Sequence, residues 1–235
     1  MNNTAKWYPP CRLLLIWIVV LSWSIPAFAY VTDDGWNLAS GKNDDLLVYT
    51  KAIDGQPIKA VKAVAILDVP LETLLTVLAD AELVPEWIPV IGSAELLQDT
   101  NPDGVSIVYM VTKFPWPIRN RDAVVSTLTE YEPSSHTVTM ESTGLSGYVD
   151  EKDGIIRTPT TYTRWEIHPL EDGKLHVEII THSDPRGHFP KWMMNIIVKR
   201  TPKSMFSRLT TTIGAEKERN RPFNATHIFG KEVNL

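Results

Sequence analysis

From Ser93 to Asp184 the chain repeats one pattern: short runs alternating apolar and polar residues, broken by turn residues. The breaks fall at Asn101-Pro102-Asp103-Gly104, Pro133-Ser134-Ser135, Gly144 to Gly147, Asp153-Gly154 and Glu171-Asp172-Gly173. A period of two puts alternate side chains on opposite faces of an extended chain, and no helix satisfies it. The spacing predicts strands near 93–99, 105–114, 121–132, 136–144, 155–168 and 174–183, joined as antiparallel hairpins. Upstream, Leu46 to Ile53 and Ile58 to Leu67 flank the turn residues Asp54-Gly55 and read as a further hairpin. Pro70 then opens a helix whose apolar face is Leu71, Leu74, Leu75 and Leu78. Pro85-Glu86-Trp87-Ile88-Pro89 is too rich in proline for a long helix and reads as a short piece that carries Trp87 inward. After Asp184 the period changes. Phe189, Trp192, Met193, Ile196, Ile197, Met205, Leu209 and Ile213 recur at steps of three and four, which predicts an amphipathic helix over 189–213, bent where Pro202 removes a hydrogen bond. The fold class is α+β, with an antiparallel sheet able to wrap around the last helix.

The first 29 residues carry a different signal. Lys6 and Arg12 precede the apolar run Leu13 to Trp23, and Ala27-Phe28-Ala29 has the small-x-small pattern of a signal-peptidase site. The run is about half the length needed to span a bilayer. We therefore expect a cleaved signal peptide over 1–29, one domain over 30–215, a tail over 216–235 without assigned function, and a periplasmic or secreted location. Cys11 is the single cysteine of the 235-residue chain and lies within that leader. The exported domain thus forms no disulfide and relies on its core, which this length can supply. The chain is acidic, with a formal net charge of −5 that becomes more negative without Lys6 and Arg12. That balance argues against nucleic acid and against tight electrostatic docking on anionic membranes.

Between the second and third strands of the meander, Pro115-Trp116-Pro117-Ile118-Arg119-Asn120-Arg121-Asp122 forms a stiff extended corner. The prolines fix φ and keep the residues before them extended. This segment resembles the PWP-x-x-x-RD corner of the START family, the steroidogenic-acute-regulatory-protein-related lipid-transfer domains. Asp184-Pro185-Arg186-Gly187-His188-Phe189-Pro190-Lys191-Trp192 resembles the family's Asp-Pro-x-Gly-x-x-Pro-x-Trp lead-in to its terminal helix. The order of elements from Trp36 to Ile213 is also the family's. The resemblance implies a helix-grip fold: a curved antiparallel sheet around a long C-terminal helix, enclosing a hydrophobic cavity that holds a lipid.

From the residues alone, Trp165, Trp192, Met193, Ile196 and Ile197 read as core filling; the resemblance implies instead that they line the cavity, with methionines suited to varied acyl chains. Arg121 and Asp122 either clamp a headgroup or anchor the corner locally, and anchoring is the expectation. Trp116 either plugs the sheet's end or offers its face to a quaternary ammonium group. Some sterol-binding members of the family carry a charge on the strand after Arg-Asp, but Ala123 to Thr129 has none here. Polar contacts inside are expected from Tyr109, Ser126 and Thr127, and one hydrogen bond from His182. The spacing of His182, Asp184 and His188 fits no standard zinc site, and no phosphate-binding or nucleophile-elbow motif occurs, so neither metal nor cofactor is expected. Lys191, Lys199, Arg200, Lys203 and Arg208 stripe the terminal helix, as a solvated face or as transient contact with anionic headgroups. The expected function is non-enzymatic binding and transfer of a phospholipid or other acyl lipid by a monomer. The alternatives are a cyclase- or hydrolase-type enzyme using the same cavity, or a lipid sensor for a protein partner.

Overall fold

The computed structural model of the chain describes residues 35–41, 46–56, 58–159, 161–187, 193 and 200–235. Its framework is a ten-stranded sheet: β1 (Asn37–Ser40), β2 (Leu46–Lys51), β3 (Ala60–Leu67), β4 (Ile91–Gln98), β5 (Val105–Thr112), β6 (Arg121–Glu132), β7 (Thr137–Leu145), β8 (Ile156–Arg157), β9 (Thr161–Pro169) and β10 (Leu175–Ser183). The spatial order is β1-β2-β3-β10-β9-β7-β6-β5-β4, every neighbour antiparallel, and β8 adds a short parallel pairing to β6. β3 bonds to β10, so the first hairpin joins the end of the meander and leaves β1 and β4 as the outer strands.

Two differences from the expected strands have local causes. The run 155–168 is divided, because Ile156–Arg157 pairs with the start of β6 and β9 begins only at Thr161. Pro159 lies between them and has no N–H to give a ladder. There the backbone passes directly over Gly144, where an added Cβ would lie 2.2 Å from the Pro159 carbonyl oxygen. β1 escaped the pattern because it is four residues long, mostly exposed and shifted in register between Leu38 and Ser40.

The helices lie on one face, hereafter the inner face. The helices whose full extent falls among the described residues are α1 (Leu71–Ala79), α2 (Val84–Trp87, after a 3-10 turn at Ala81–Leu83), α3 (Thr201–Arg219) and α4 (Ala225–Phe229). Leu74, Leu75 and Val77 of α1, Trp87 of α2, and Met205, Phe206, Leu209 and Ile213 of α3 are buried against Val48, Ala63, Ala65, Val138, Met140, Trp165, Ile167, Val177 and Ile179 of the sheet. Trp165 stands between Trp87 and Phe206, with ring centroids at 5.9 and 6.2 Å. α3 corrects the expected bend: it begins at Thr201, so Pro202 occupies the first turn, where its missing N–H would have had no partner. Most of 189–199 lies outside the described residues.

The tail belongs to the core. Residues 216–219 continue α3, and α4 buries Ala225, Ile228 and Phe229 in the main cluster. Asn224 caps α4 by accepting from the His227 backbone N–H at 3.0 Å. Gly230 ends it at φ 70°, where a Cβ would lie 1.7 Å from the Asn101 carbonyl oxygen. Glu216, itself buried, takes Arg219 and Arg221, and Arg221 also reaches Asp80 at 3.0 Å, tying the tail to the end of α1.

Candidate functional site

The proline corner is closed by its own residues. Phe114 donates its backbone N–H to the Asn120 side-chain oxygen at 3.1 Å, Ile118 donates to the Pro115 carbonyl at 3.0 Å, and the Trp116–Pro117 peptide is cis. Arg121 and Asp122, adjacent on β6, leave the sheet on opposite sides and do separate work. The Arg121 guanidinium is buried beside the Phe114 ring and donates to the carbonyls of Arg119, Pro185 and Arg186, the last two at 3.1 Å. It therefore ties the corner to the Asp184-Pro185-Arg186-Gly187 turn, joining the two motifs singled out in the sequence.

Asp122 faces the outer side. Its carboxylate accepts two bonds from Arg157, at 2.8 and 3.0 Å, and one from the Tyr109 hydroxyl at 3.0 Å. Arg157 also donates to the carbonyls of Val149 and Asp150 at 2.8 and 3.1 Å, so four of its five N–H groups are bonded within this buried cluster. Burial alone would raise the Asp122 pKa, but the bonds from Arg157 and Tyr109 outweigh it and hold the carboxyl below its ordinary range. The Tyr109 hydroxyl is pushed up by burial and by its bond to Asp122. Both expected roles of this pair reduce to anchoring, through backbone carbonyls for Arg121 and through Arg157 for Asp122.

Sheet register fixes which expected site residues share a face. Tyr109 pairs with Val124, and Ile107 with Ser126. Ile107, Tyr109 and Val124 form a small outer cluster with Leu97, Val111, Leu145 and Val149, apart from the main core. Tyr109 and Ser126 thus face away from the helices, which corrects their expected place inside. His182 does too: it pairs with Tyr162, one step from the inward Thr163–Thr181 pair. Burial pushes its imidazole below the ordinary value, and its Nε2 is buried without a hydrogen-bond partner. Trp116 plugs nothing, since it is 92% exposed at the tip of the corner. Thr127 and Trp165 do face inward, and Met193 is buried. Trp192, Ile196 and Ile197 lie outside the described residues.

The inner face has a feature that sequence reading missed. Beside the packed row Met140–Trp165–Ile179, the register aligns Ser106, Thr127, Ser142, Thr163 and Thr181 across five strands, β5, β6, β7, β9 and β10. Thr127 and Ser142 hydroxyls lie 2.7 Å apart, and those of Thr163 and Thr181 2.9 Å. Thr161 and Ser183 repeat the contact at 3.0 Å one step further. All are partly accessible, unlike the neighbouring apolar row. The inner face is therefore a close-packed apolar block that gives way to a band of hydroxyls towards the corner. Among the described residues, no three His, Cys, Asp or Glu side chains gather as a metal site requires, and no helix is long and apolar enough to cross a membrane.

Comparison with known proteins places this architecture. The chain is 27% identical over 184 residues to an uncharacterised protein of Pseudomonas aeruginosa, covering 78% of this chain and 88% of that one. It is 28% identical over 167 residues to START domain-containing protein 10 of Mus musculus, covering 68% of this chain but only 55% of that longer relative. Among solved structures it is similar to the STAR-related lipid transfer protein (fragment 25–204) from Xanthomonas axonopodis, with a TM-score of 0.68 and 26% identity, covering 77% of this chain and 99% of that one. Human STARD10 shares the fold at a TM-score of 0.70 and 18% identity, over 83% of this chain and 81% of that one. The START domain profile matches residues 27–219, which takes in the sheet, the proline corner and the whole of α3, and the chain belongs to the START domain family.

Proposed function

We propose that this START domain holds one acyl lipid between the inner face of its sheet and its C-terminal helical segment, and carries it unchanged through the periplasm as a monomer. The observation that carries this reading is the partly accessible hydroxyl band beside an otherwise close-packed core. The family, and the similar lipid transfer protein of Xanthomonas axonopodis, point the same way. The periplasmic setting rests on the export pattern of the first 29 residues. Removal of acyl surface from water drives loading at about 25 cal/mol per Å², offset in part by the lost freedom of the lipid. Tyr109 and His182, the two side chains an enzymatic cavity would enlist, both face the outer side, and this favours carriage.

Membrane contact is assigned to the corner. A tryptophan held 92% exposed on a stiff turn suits the boundary between headgroups and acyl chains, where the indole is apolar in body and polar at its N–H. Trp116→Ala is expected to slow transfer between vesicles roughly tenfold, with stability unchanged within about 0.5 kcal/mol. Equal transfer rates would remove the corner from the mechanism.

The reading is tested by purifying the exported protein without detergent and recording its native mass before and after solvent extraction. A stoichiometric adduct released as an intact lipid is expected. A clean apo mass with no uptake from mixed liposomes would overturn carriage.

A further inference from the structure

We infer that a cleft beside the Asp122–Arg157 pair takes the zwitterionic head of a membrane phospholipid, a phosphate joined to a primary ammonium group. The inference rests on the membrane contact proposed for the corner and is independent of which lipid is carried. The cleft holds about 260 Å³ between the loop after β7, the end of β8 and the turn that carries Arg186. That is below the usual size of a site for a drug-like molecule and suits a small polar head. Among its lining residues are two cations, Arg157 and Arg186, and two acids, Asp150 and Glu151.

Arg157 is the buried member, 5% exposed. Asp122 accepts from its Nε and Nη2, and the carbonyls of Val149 and Asp150 accept from Nη1 and Nη2, which leaves the second Nη1 hydrogen for an occupant. Arg186 is exposed, and its guanidinium has no ion-pair partner among the described residues. Its backbone is fixed all the same. Its φ is 51°, in the left-handed region, its N–H donates to the Asp184 carboxylate at 3.0 Å, and its carbonyl accepts from Arg121. A strained residue held from both sides thus brings a free cation to a cleft already floored by another. Paired guanidiniums suit a phosphate. The Asp150 and Glu151 carboxylates are also exposed and without ion-pair partners among the described residues, so an anion alone would meet as many like charges as opposite ones. A head that also carries ammonium N–H donors satisfies both sets, and a quaternary ammonium, which has no N–H, does not.

The place of the cleft favours a membrane source over a soluble one. Arg119 donates from Nε to the Gly154 carbonyl at 3.3 Å, tying the loop that bears Asp150 and Glu151 to the corner that bears Trp116. Tyr148, in the same loop, is 47% exposed. Two exposed aromatic rings therefore accompany the cleft at one end of the sheet, as suits a headgroup boundary.

The test measures binding of the full exported chain to vesicles of phosphatidylcholine alone, and of phosphatidylcholine mixed with phosphatidylethanolamine or with phosphatidylglycerol. The phosphatidylethanolamine vesicles are expected to bind at least about tenfold more tightly than the other two. Arg186→Gln and Glu151→Gln, both at exposed positions, should each reduce that preference to within about twofold, whereas Trp116→Ala should weaken binding to all three alike. Equal binding of the three compositions, or a preference for phosphatidylglycerol, would overturn the head-group inference, and the corner's contact would stand if Trp116→Ala still weakened binding. Binding to none of the vesicles would overturn both. Soluble glycerophosphoethanolamine that shifts the Arg186 amide resonance without competing against vesicles would overturn the membrane source. The wild-type preference alone decides the matter should a variant fail to fold.

Discussion

Asp122→Asn is expected to destabilise the domain by about 3 kcal/mol, because it leaves the buried Arg157 guanidinium without its counter-charge. For a domain of this size that corresponds to a fall in Tm of roughly 6–12 °C. The loss should depend on pH in a defined sense. The folded Asp122 carboxyl titrates below its ordinary value, so its contribution is fully present above the unfolded pKa, near 4, and is lost as pH falls through the folded pKa. Urea midpoints measured between about pH 5 and pH 2 should fall steeply for the wild type and more gently for the variant. Parallel acid limbs would mean that the pair contributes nothing specific. Because Arg157 and Asp122 act as one unit, Asp122→Asn combined with Arg157→Met should cost less than the sum of the two single changes.

The tail supplies the second large effect. Phe229 is among the largest fully buried side chains, packs 6.4 Å from Tyr131, and sits in a helix closed at both ends by Asn224 and Gly230. Phe229→Ala should therefore cost about 3–5 kcal/mol, the range for deleting a buried aromatic side chain. A dispensable appendage would tolerate the change within about 0.5 kcal/mol. Chemical denaturation with and without the substitution separates the two, and a small effect would show that α4 is not part of the cooperative unit.

Much of this architecture is legible in the sequence, for physical reasons that can be named residue by residue. Period-two alternation from Ser93 to Asp184 leaves little freedom of fold, and turn residues marked the hairpins between β4 and β5, between β6 and β7 and between β9 and β10. The site was less legible because strand periodicity says which residues share a face but not which face is inner. Ser126 and Thr127 are adjacent, so only one can face the helices, and the register chooses Thr127. Tyr109 follows Ser126 to the outer side through the pairing of β5 with β6. The hydroxyl band could not be read from any single strand, since Thr127, Ser142, Thr163 and Thr181 become neighbours only when four strands are aligned. Arg157 was missed for a related reason. It is 35 residues from Asp122 and reaches it only because β8 runs parallel to the start of β6.

The reach of Arg121 has a mechanical consequence. Its guanidinium grips the carbonyls of residues 119, 185 and 186, so the stretch that presents Trp116 and the turn before residue 188 share one rigid cation as their common joint. A force applied at the indole is transmitted across the sheet's end through this joint and not dissipated in a slack loop. Loss of that one side chain would therefore uncouple the corner from the turn at residues 184–187, so two segments more than sixty residues apart in the chain answer to a single residue.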